Sequence, residues 1–201
     1  MTVVEDIVLK RLGRVEYFPT WEAMRAFTRT RDESTPDELW LLEHPSVYTV
    51  GQGAPLPQVS GPIPVLKTDR GGDITYHGPG QAVIYTLVDL ARRSIKVKRF
   101  VWLLEQAVIE FLDGRGERKP GAPGVYVDGA KIAALGIRVV RGRAYHGLAL
   151  NVDMDLSPFS AIDPCGYPGL RVTQMKNLGF TADHSVIGAR LAQTVVKNLD
   201  A

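Results

Sequence analysis

The sequence predicts an α+β fold in a single domain that spans residues 1–201. Amphipathic patterns indicate helices near the start, in the middle and at the end of the chain. Between the middle and last helices, short apolar runs separated by two-residue glycine turns indicate antiparallel strands. A chain of this length, with 45% hydrophobic residues, can bury a substantial core as one unit.

The chain opens with a predicted strand, a helix and a second strand. Val3–Leu9 and Glu38–Glu43 have the apolar runs of strands, and Pro19–Arg31 places apolar side chains at helical spacing. Residues 51–64 are rich in proline and glycine, which predicts a connecting loop. The apolar run Ala82–Leu87 then predicts a buried strand.

The second half predicts a helix, an antiparallel meander and a closing helix. Lys98–Leu112 and Val186–Leu199 carry apolar residues at helical spacing. The turn signals Asp128-Gly129 and Arg141-Gly142 separate three predicted strands, namely Val125–Val127, Lys131–Val140 and Ala144–Val152. Between the meander and the last helix, Leu156–Val172 predicts a second loop rich in proline and glycine.

Composition narrows the class of protein. The net charge of +2, from 24 basic and 22 acidic residues, argues against a dedicated nucleic-acid binder. No run approaches the about 18 consecutive apolar residues of a membrane span, and the N-terminal residues lack the pattern of a signal peptide. A single cysteine excludes an intramolecular disulfide. We therefore expect a soluble, cytoplasmic protein.

Two basic clusters depart from this near-neutral composition. One precedes the middle helix and the other surrounds the Arg141-Gly142 turn; their members are Arg92, Arg93, Lys96, Lys98 and Arg99, and Arg138, Arg141 and Arg143. Charge runs of this kind are commonly solvated surface. The alternative is a docking surface for an acidic protein.

Cys165 is the first candidate for chemistry. Free cysteines are often small, buried and inert. This one lies in Asp163-Pro164-Cys165-Gly166, where proline fixes the backbone before the thiol and glycine permits a turn after it. Such a stretch presents a side chain at a loop, which favours a reactive thiol over a space-filling one.

Lys131 is the second candidate, because its neighbours are small or apolar over Gly129–Gly136. Strand alternation allows it to be an ordinary outward-facing residue. The alternative is a desolvated lysine beside Cys165. An ammonium next to a thiol favours the nucleophilic thiolate, so the two residues together would form an activated nucleophile.

A third candidate is the glycine-rich segment Arg70–Gln81, which can wrap a ligand or simply turn between strands. It contains His77, whereas we expect His44 and His184 to be surface or capping residues. The spacing of the histidines does not suggest a metal site. Nucleotide-binding motifs are absent from the sequence, which favours a substrate that arrives already activated, such as a thioester.

Three blocks of sequence, in order, resemble the octanoyltransferases of lipoate biosynthesis. They are RGGDITYHGPGQAVIYTLVDL at Arg70–Leu90, GVYVDGAKIAALGIRV at Gly124–Val139 and YHGLALNVDMDLSPFSAIDPCGYPGLRVTQM at Tyr145–Met175. The resemblance implies the fold of biotin and lipoate protein ligases, a mixed, largely antiparallel sheet flanked by helices. It also implies transfer of an octanoyl group from octanoyl-acyl carrier protein to a lysine of an apo lipoyl domain, the first step of endogenous protein lipoylation, without a metal or other cofactor.

The resemblance also implies roles for particular residues. Cys165 would carry the acyl group as a thioester, and Lys131 would be its partner and general acid/base. The implied substrate-binding residues are Arg70, Gly71, Gly72, Asp73, Ile74, Thr75, Tyr76, His77, Ala134, Leu135, Gly136, Gly147, Leu148 and Ala149. The implied acceptors are the lipoyl domains of 2-oxoacid dehydrogenase E2 subunits and the glycine cleavage H protein, and we expect a monomer.

Two rival functions remain open at the level of sequence. An ATP-using lipoate or biotin ligase would share the fold but needs a nucleotide-binding loop. A non-catalytic acyl-binding protein would make Cys165 incidental.

Overall fold

A computed structural model describes residues 2–4, 7–57, 59–162, 169–181 and 183–200, which form two sheets and three α-helices. In chain order the elements are β1 (Thr2–Val4), β2 (Ile7–Arg14), α1 (Tyr17–Thr30), β3 (Asp37–Glu43), β4 (Val47–Val50), β5 (Val65–Lys67), β6 (Ile74–His77), β7 (Gln81–Leu87), α2 (Val97–Phe111), β8 (Glu117–Lys119), β9 (Ala122–Val127), β10 (Ala130–Val140), β11 (Arg143–Asn151) and α3 (His184–Leu199).

The larger sheet has eight strands in the order β1-β2-β3-β7-β11-β10-β9-β8. Neighbouring strands are antiparallel except β2 and β3, which are parallel and are joined through α1. A parallel pair needs a crossover connection, and the helix supplies it. The mixed sheet predicted from the resemblance is therefore confirmed, and so is the opening order of strand, helix and strand.

The helices cover both faces of this sheet. Helices α2 and α3 pack on one face over a core that includes Phe100, Leu104, Ile132 and Leu191. Helix α1 packs on the other face, where Met24 contacts a second apolar cluster. Each observed helix begins and ends within two residues of its predicted range. Among the described residues, none of the helices has both the length and the apolar character needed to cross a bilayer.

The two meander turns confirm the hairpins predicted from sequence. Asp128 and Gly129 both have positive φ, at 49° and 75°, and Arg141 and Gly142 repeat the pattern at 50° and 78°. Two consecutive residues in the left-handed region define the type I′ turn, whose twist matches that of the paired strands. The register of β9, β10 and β11 is set by these two turns.

A second, three-stranded sheet with the order β5-β4-β6 was not predicted. Its strands are only three or four residues long. Strand β6 also lies inside the glycine-rich segment that we expected to be a loop. The prediction of a single strand over Val3–Leu9 was likewise wrong, because β1 and β2 are two antiparallel strands.

A buried carboxylate, Asp37, joins the ends of several elements. Its two oxygens accept hydrogen bonds from the guanidinium groups of Arg31, Arg92 and Arg93 and from the backbone N–H of Asp89, at 2.6–2.8 Å. Burial raises the pKa of Asp37, but these hydrogen bonds outweigh it and the pKa lies below its usual range. Arg92 and Arg93 of the first basic cluster are thus committed to the fold.

Candidate active site

A cleft lies where the segment from Arg70 to His77 crosses strands β10 and β11. It is an open depression and not an enclosed cavity, because the space of about 480 Å³ that its walls bound includes solvent. The structure brings to its wall most of the residues that the resemblance implied for substrate binding, namely Arg70, Gly72, Asp73, Ile74, Thr75, His77, Ala134, Leu135, Gly136, Gly147, Leu148 and Ala149.

Two of the implied residues do not line the cleft. Gly71 contacts the sheet through its backbone, where its N–H donates to the carbonyl of Ile137 at 3.0 Å. Tyr76 belongs to the apolar cluster under the small sheet, with its hydroxyl 2.9 Å from that of Ser46 and its ring against Phe159. Four other residues of the wall were not predicted from sequence, namely Tyr17, Val83, Tyr85 and His146.

The crossing of the segment over β10 depends on glycine. A Cβ added to Gly136 would lie 2.9 Å from the carbonyl oxygen of Gly71 and 3.3 Å from Cδ of Arg70. On the neighbouring strand, a Cβ added to Gly147 would lie 2.1 Å from the carbonyl oxygen of Ile84. These distances are too short for a side chain, so the cleft floor is backbone at these two positions.

Arg70 holds the segment in place from within. Its guanidinium donates to the hydroxyl and carbonyl oxygens of Thr49 and to the carbonyls of Gly71 and Asp73, at 2.5–3.0 Å. These bonds tie the glycine-rich loop to β4 of the small sheet. Arg70 therefore organises the cleft wall as well as placing a positive charge beside it.

Lys131 lies on the same face of β10 as the cleft because the strand is irregular. The register against β9 shifts between Lys131 and Ala133. Strict alternation would put Lys131 on the helix-covered face with Ala133 and Leu135. The bulge instead lets Ile132 and Ala133 both join the core and turns Lys131 toward Tyr126, whose ring centroid is 5.3 Å from Nζ.

Lys131 is only 4% exposed, which removes the alternative of an outward-facing strand residue. Its side chain passes over a glycine: a Cβ added to Gly124 would lie 2.7 Å from Cε of Lys131. Gly124 has φ +139°. The sheet therefore makes space for this one lysine.

The main chain of Lys131 holds the chain that follows the predicted nucleophile. Its N–H donates to the carbonyl of Arg171 at 2.8 Å, and its carbonyl accepts from the N–H of Thr173 at 2.9 Å. Cys165 itself lies in residues 163–168, outside the described residues. The structure thus places Lys131 beside a segment that begins six residues after Cys165.

His77 and His44 are buried side by side at the cleft, with ring centroids 5.8 Å apart. Burial lowers the pKa of His77 to about 3 and that of His44 to about 4, so both rings are neutral. The expectation that His44 lies at the surface was wrong. It is 0% exposed and binds the Val15 carbonyl and the Tyr85 hydroxyl. His184 is partly exposed at the start of α3, 3.2 Å from Glu43.

His146 reaches the cleft through an unusual backbone conformation. Its φ is +62°, which is uncommon for a residue other than glycine. Successive strand side chains normally point to opposite faces, yet the rings of Tyr145 and His146 are stacked with centroids 5.0 Å apart. The positive φ therefore turns the imidazole to the face of Tyr145. Period-two alternation could not have predicted this.

Asp69 holds these two rings. It accepts hydrogen bonds from His146 Nε2, the Tyr145 hydroxyl and Trp21 Nε1 at 2.6–2.8 Å. Burial raises the pKa of Asp69, but the hydrogen bonds from His146 and Tyr145 outweigh it and lower the pKa overall. Burial lowers the pKa of His146, so its ring is neutral. Its Nδ1 has no hydrogen-bond partner among the described residues.

Beyond Asp69 a second concave surface collects positive charge. It is an open groove in which the second basic cluster meets two arginines of α1; the arginines are Arg25, Arg29, Arg138, Arg141 and Arg143. We call this surface the arginine groove. Within the described residues, no group of three or more His, Cys, Asp or Glu side chains could hold a metal ion.

Residues 16–196 match the family model of the lipoyl protein ligase A/B catalytic domain. Octanoyltransferases of three bacteria are similar over nearly the full chain. That of Aromatoleum aromaticum is 62% identical, covering 92% of this chain and 82% of its own. That of Azoarcus is 58% identical, covering 96% of this chain and 88% of its own. That of Dechloromonas aromatica is 55% identical, covering 96% of this chain and 97% of its own.

Solved structures share the fold at low sequence identity. A bipartite lipoate protein ligase from Thermoplasma acidophilum, described with its E2 lipoyl domain, has a TM-score of 0.69 at 16% identity, covering 96% of this chain and 84% of its own. A biotin protein ligase from Aquifex aeolicus, in complex with biotin and ATP, has a TM-score of 0.60 at 11% identity. It covers 98% of this chain and 71% of its own. These likenesses confirm the predicted fold.

Replacing Asp69 by alanine should destabilise the protein at neutral pH by about 1–3 kcal/mol or more, because buried donors lose their acceptor. The folded-state pKa of Asp69 is lowered, so its stabilisation is present above the usual carboxyl pKa of about 3.9 and is lost as the pH falls through the lower folded value. Urea unfolding at pH 7 and pH 3 measures both free energies.

The control is Asp153→Ala, which breaks an exposed pair with Lys176 and should cost about 1 kcal/mol or less. Equal losses for Asp69→Ala at the two pH values would contradict the assigned role of the carboxylate.

Proposed function

We propose that this chain, which belongs to the lipoyl protein ligase A/B catalytic domain family and within it to the octanoyltransferases, transfers an octanoyl group to a lysine of a lipoyl domain. The observation that carries the proposal is the high identity to octanoyltransferases over nearly the whole chain. The proposed donor is octanoyl-acyl carrier protein. The proposed acceptors are lipoyl domains of 2-oxoacid dehydrogenase E2 subunits and the glycine cleavage H protein.

The cleft suits a medium-length acyl chain. Apolar side chains from both sheets line it, among them Ile74, Val83, Ala134 and Ala149. Burying them against hydrocarbon is favourable by roughly 25 cal/mol per Å² of apolar surface removed from water.

The first half-reaction loads the enzyme. The Cys165 thiolate attacks the octanoyl thioester carbon, a C–S bond to the enzyme forms, and the C–S bond to the carrier's pantetheine arm breaks. The Lys131 ammonium gives its proton to the departing thiolate. The products are an octanoyl-Cys165 thioester, a neutral Lys131 amine and a free carrier.

The second half-reaction unloads it. The neutral amine of the acceptor lysine attacks the Cys165 thioester, a C–N bond forms, and the C–S bond breaks to restore the thiolate. Lys131 takes the proton that the attacking nitrogen loses. Since one partner leaves before the other enters, ping-pong kinetics follow. The buried position of Lys131 supports this role, because a desolvated side chain exchanges its proton with the substrate in preference to bulk water.

Acyl carrier proteins and lipoyl domains are typically acidic, and we propose the arginine groove as the surface on which they dock. Five arginines line it. Arg25 pairs with Glu22 and Arg143 with Asp89, whereas Arg29, Arg138 and Arg141 have no carboxylate partner among the described residues. The first basic cluster is less suited, because Arg92 and Arg93 bind Asp37 and Arg99 stacks on Trp102 at 4.3 Å. Complementary charge steers encounter between such partners.

A covalent acyl adduct on the intact protein tests the proposed nucleophile. After mixing with octanoyl-acyl carrier protein, intact mass should rise by one octanoyl group in the wild type and stay unchanged in Cys165→Ser. An adduct that survives in Cys165→Ser would sink the nucleophile assignment. Product formed only from free octanoate and ATP would identify an ATP-using ligase instead, and binding without any adduct would identify an acyl-binding protein.

Lys131→Ala should raise the midpoint pH of Cys165 alkylation by about one unit or more, because the ammonium no longer stabilises the thiolate. Gly124→Ala should shift it in the same direction, since its Cβ displaces Cε of Lys131. Rates of iodoacetamide labelling between pH 5 and pH 10 measure the profile.

Gly121→Ala is the matched control for this pair. Gly121 also has positive φ, at +76°, but a Cβ there meets open space. Both alanine variants should lose stability through backbone strain. Gly124→Ala should lose more, because its Cβ would also lie 2.7 Å from the carbonyl oxygen of Ala133, and only Gly124→Ala should alter the alkylation profile. A wild-type profile in Lys131→Ala would remove the pairing of the two residues.

Reversing two charges in the groove, with Arg138→Glu and Arg141→Glu together, should weaken binding of the acidic carrier roughly tenfold, which is about 1.4 kcal/mol. Octanoyl-pantetheine, which lacks the carrier, should react at the wild-type rate. Lys96→Glu with Arg99→Glu is the control at the other cluster and should leave carrier affinity unchanged. If the control pair weakens binding and the groove pair does not, docking lies at the first cluster.

A further inference from the structure

Three buried side chains form a hydrogen-bonded chain beside the cleft. Asn151 donates from Nδ2 to the carbonyl of Thr173 at 3.0 Å. Gln81 donates from Nε2 to Oδ1 of Asn151 at 2.9 Å. His77 lies at the other end, with Nδ1 2.8 Å from Oε1 of Gln81. Gln81 and Asn151 are also paired across β7 and β11.

The direction of every bond in this chain follows from its fixed end. A main-chain carbonyl can only accept, so the amide of Asn151 must turn its NH₂ group to Thr173 and its oxygen to Gln81. Gln81 must then offer its NH₂ group to Asn151, and the carbonyl of Tyr76 at 3.3 Å accepts from the same nitrogen. The oxygen of Gln81 faces His77, which must therefore carry its proton on Nδ1.

This arrangement leaves Nε2 of His77 as an acceptor. The ring is part of the cleft wall, and burial keeps it neutral, with its pKa lowered to about 3. A nitrogen this weakly basic orders a donor by hydrogen bonding and does not take its proton at neutral pH. His77 is thus suited to orient a substrate N–H or O–H group.

The hydrogen-bonded side chains of Asn151, Gln81 and His77 lie at the Lys131 end of the cleft. Asn151 follows Leu150, which pairs with Ala133, two positions from Lys131. Thr173 is bonded to both, since its carbonyl accepts from Asn151 and its N–H donates to the carbonyl of Lys131. An octanoyl tail has no hydrogen-bond donor, whereas the attacking lysine amine has. A hydrogen-bond acceptor at the Lys131 end of the cleft would therefore bind the attacking amine and not the octanoyl tail.

We propose that Gln81 and Asn151 are positioning residues that hold His77 as a hydrogen-bond acceptor for the attacking amine. The inference rests on the proposed function, and it assigns His77 to the second half-reaction only. Lys131 still takes the proton, and His77 directs the nitrogen lone pair at the thioester carbon.

The ring nitrogen shifts of His77 test the orientation directly. Long-range ¹H–¹⁵N spectra of histidine-labelled protein should show Nδ1 protonated and Nε2 bare. With only four histidines in the chain, assignment by substitution is practical. His44 is the internal standard, because its Nδ1 lies 2.6 Å from the Val15 carbonyl and must also carry the proton. A wild-type His77 protonated on Nε2 would overturn the proposal.

Two substitutions at Asn151 separate positioning from packing. Asn151→Leu cannot orient Gln81, so His77 should populate both tautomers. Asn151→Asp with a protonated carboxyl presents an oxygen to Gln81 and an O–H to the carbonyl of Thr173, so it should keep the wild-type spectrum at a pH where it is protonated. The ionised form has no donor for Thr173 and should not keep it. Gln81→Met, which offers no acceptor to His77, replaces Asn151→Leu if that variant does not fold.

Single-turnover kinetics give the functional readout. In Asn151→Leu, loading of Cys165 should proceed within about twofold of the wild-type rate, and transfer to the acceptor amine should slow about tenfold, the value of one hydrogen bond. Equal slowing of both steps, or of neither, would refute the role of the chain. A wild-type enzyme that never forms the thioester would instead refute the proposed function.

Discussion

The buried carboxylate of Asp37 is the constraint on which the position of the cleft depends. It joins the C-terminal end of α1 through Arg31 and the turn after β7 through Arg92 and Arg93. Arg93 carries the link on to Asp200 at the end of α3. Because removing one partner would leave the other charges buried, the set behaves as a unit. It clamps one end of the β3 and β7 ladder, and the reactive groups lie at the other.

Two local departures from strand geometry give this regular scaffold its chemistry. The irregular register after Lys131 turns the lysine to the cleft face, and the positive φ of His146 turns its ring beside Tyr145. In an ideal strand both side chains would face the helix-covered core, where an amine and an imidazole are costly to bury. At these two positions an irregular backbone therefore coincides with a polar side chain of the candidate site.

The amphipathic segments and the glycine turns could be predicted from sequence because each has a strong local period or a turn that only certain residues adopt. The small sheet could not, since β4, β5 and β6 are short and β6 lies in a glycine-rich segment. Burial of His44 and the reach of His146 into the cleft depend on tertiary contacts and one φ angle. Motif matching found Lys131, but its environment required the structure.

The attachment of Arg171 and Thr173 to Lys131 separates two contributions of a single residue. The N–H of Lys131 donates to the carbonyl of Arg171, and its carbonyl accepts from the N–H of Thr173. Both bonds are made by the main chain, so they do not depend on the amine at the end of the side chain. A change of side chain at this position can therefore remove the amine while the segment that follows Cys165 stays bonded to β10. Chemistry and architecture meet at Lys131 but can be altered independently.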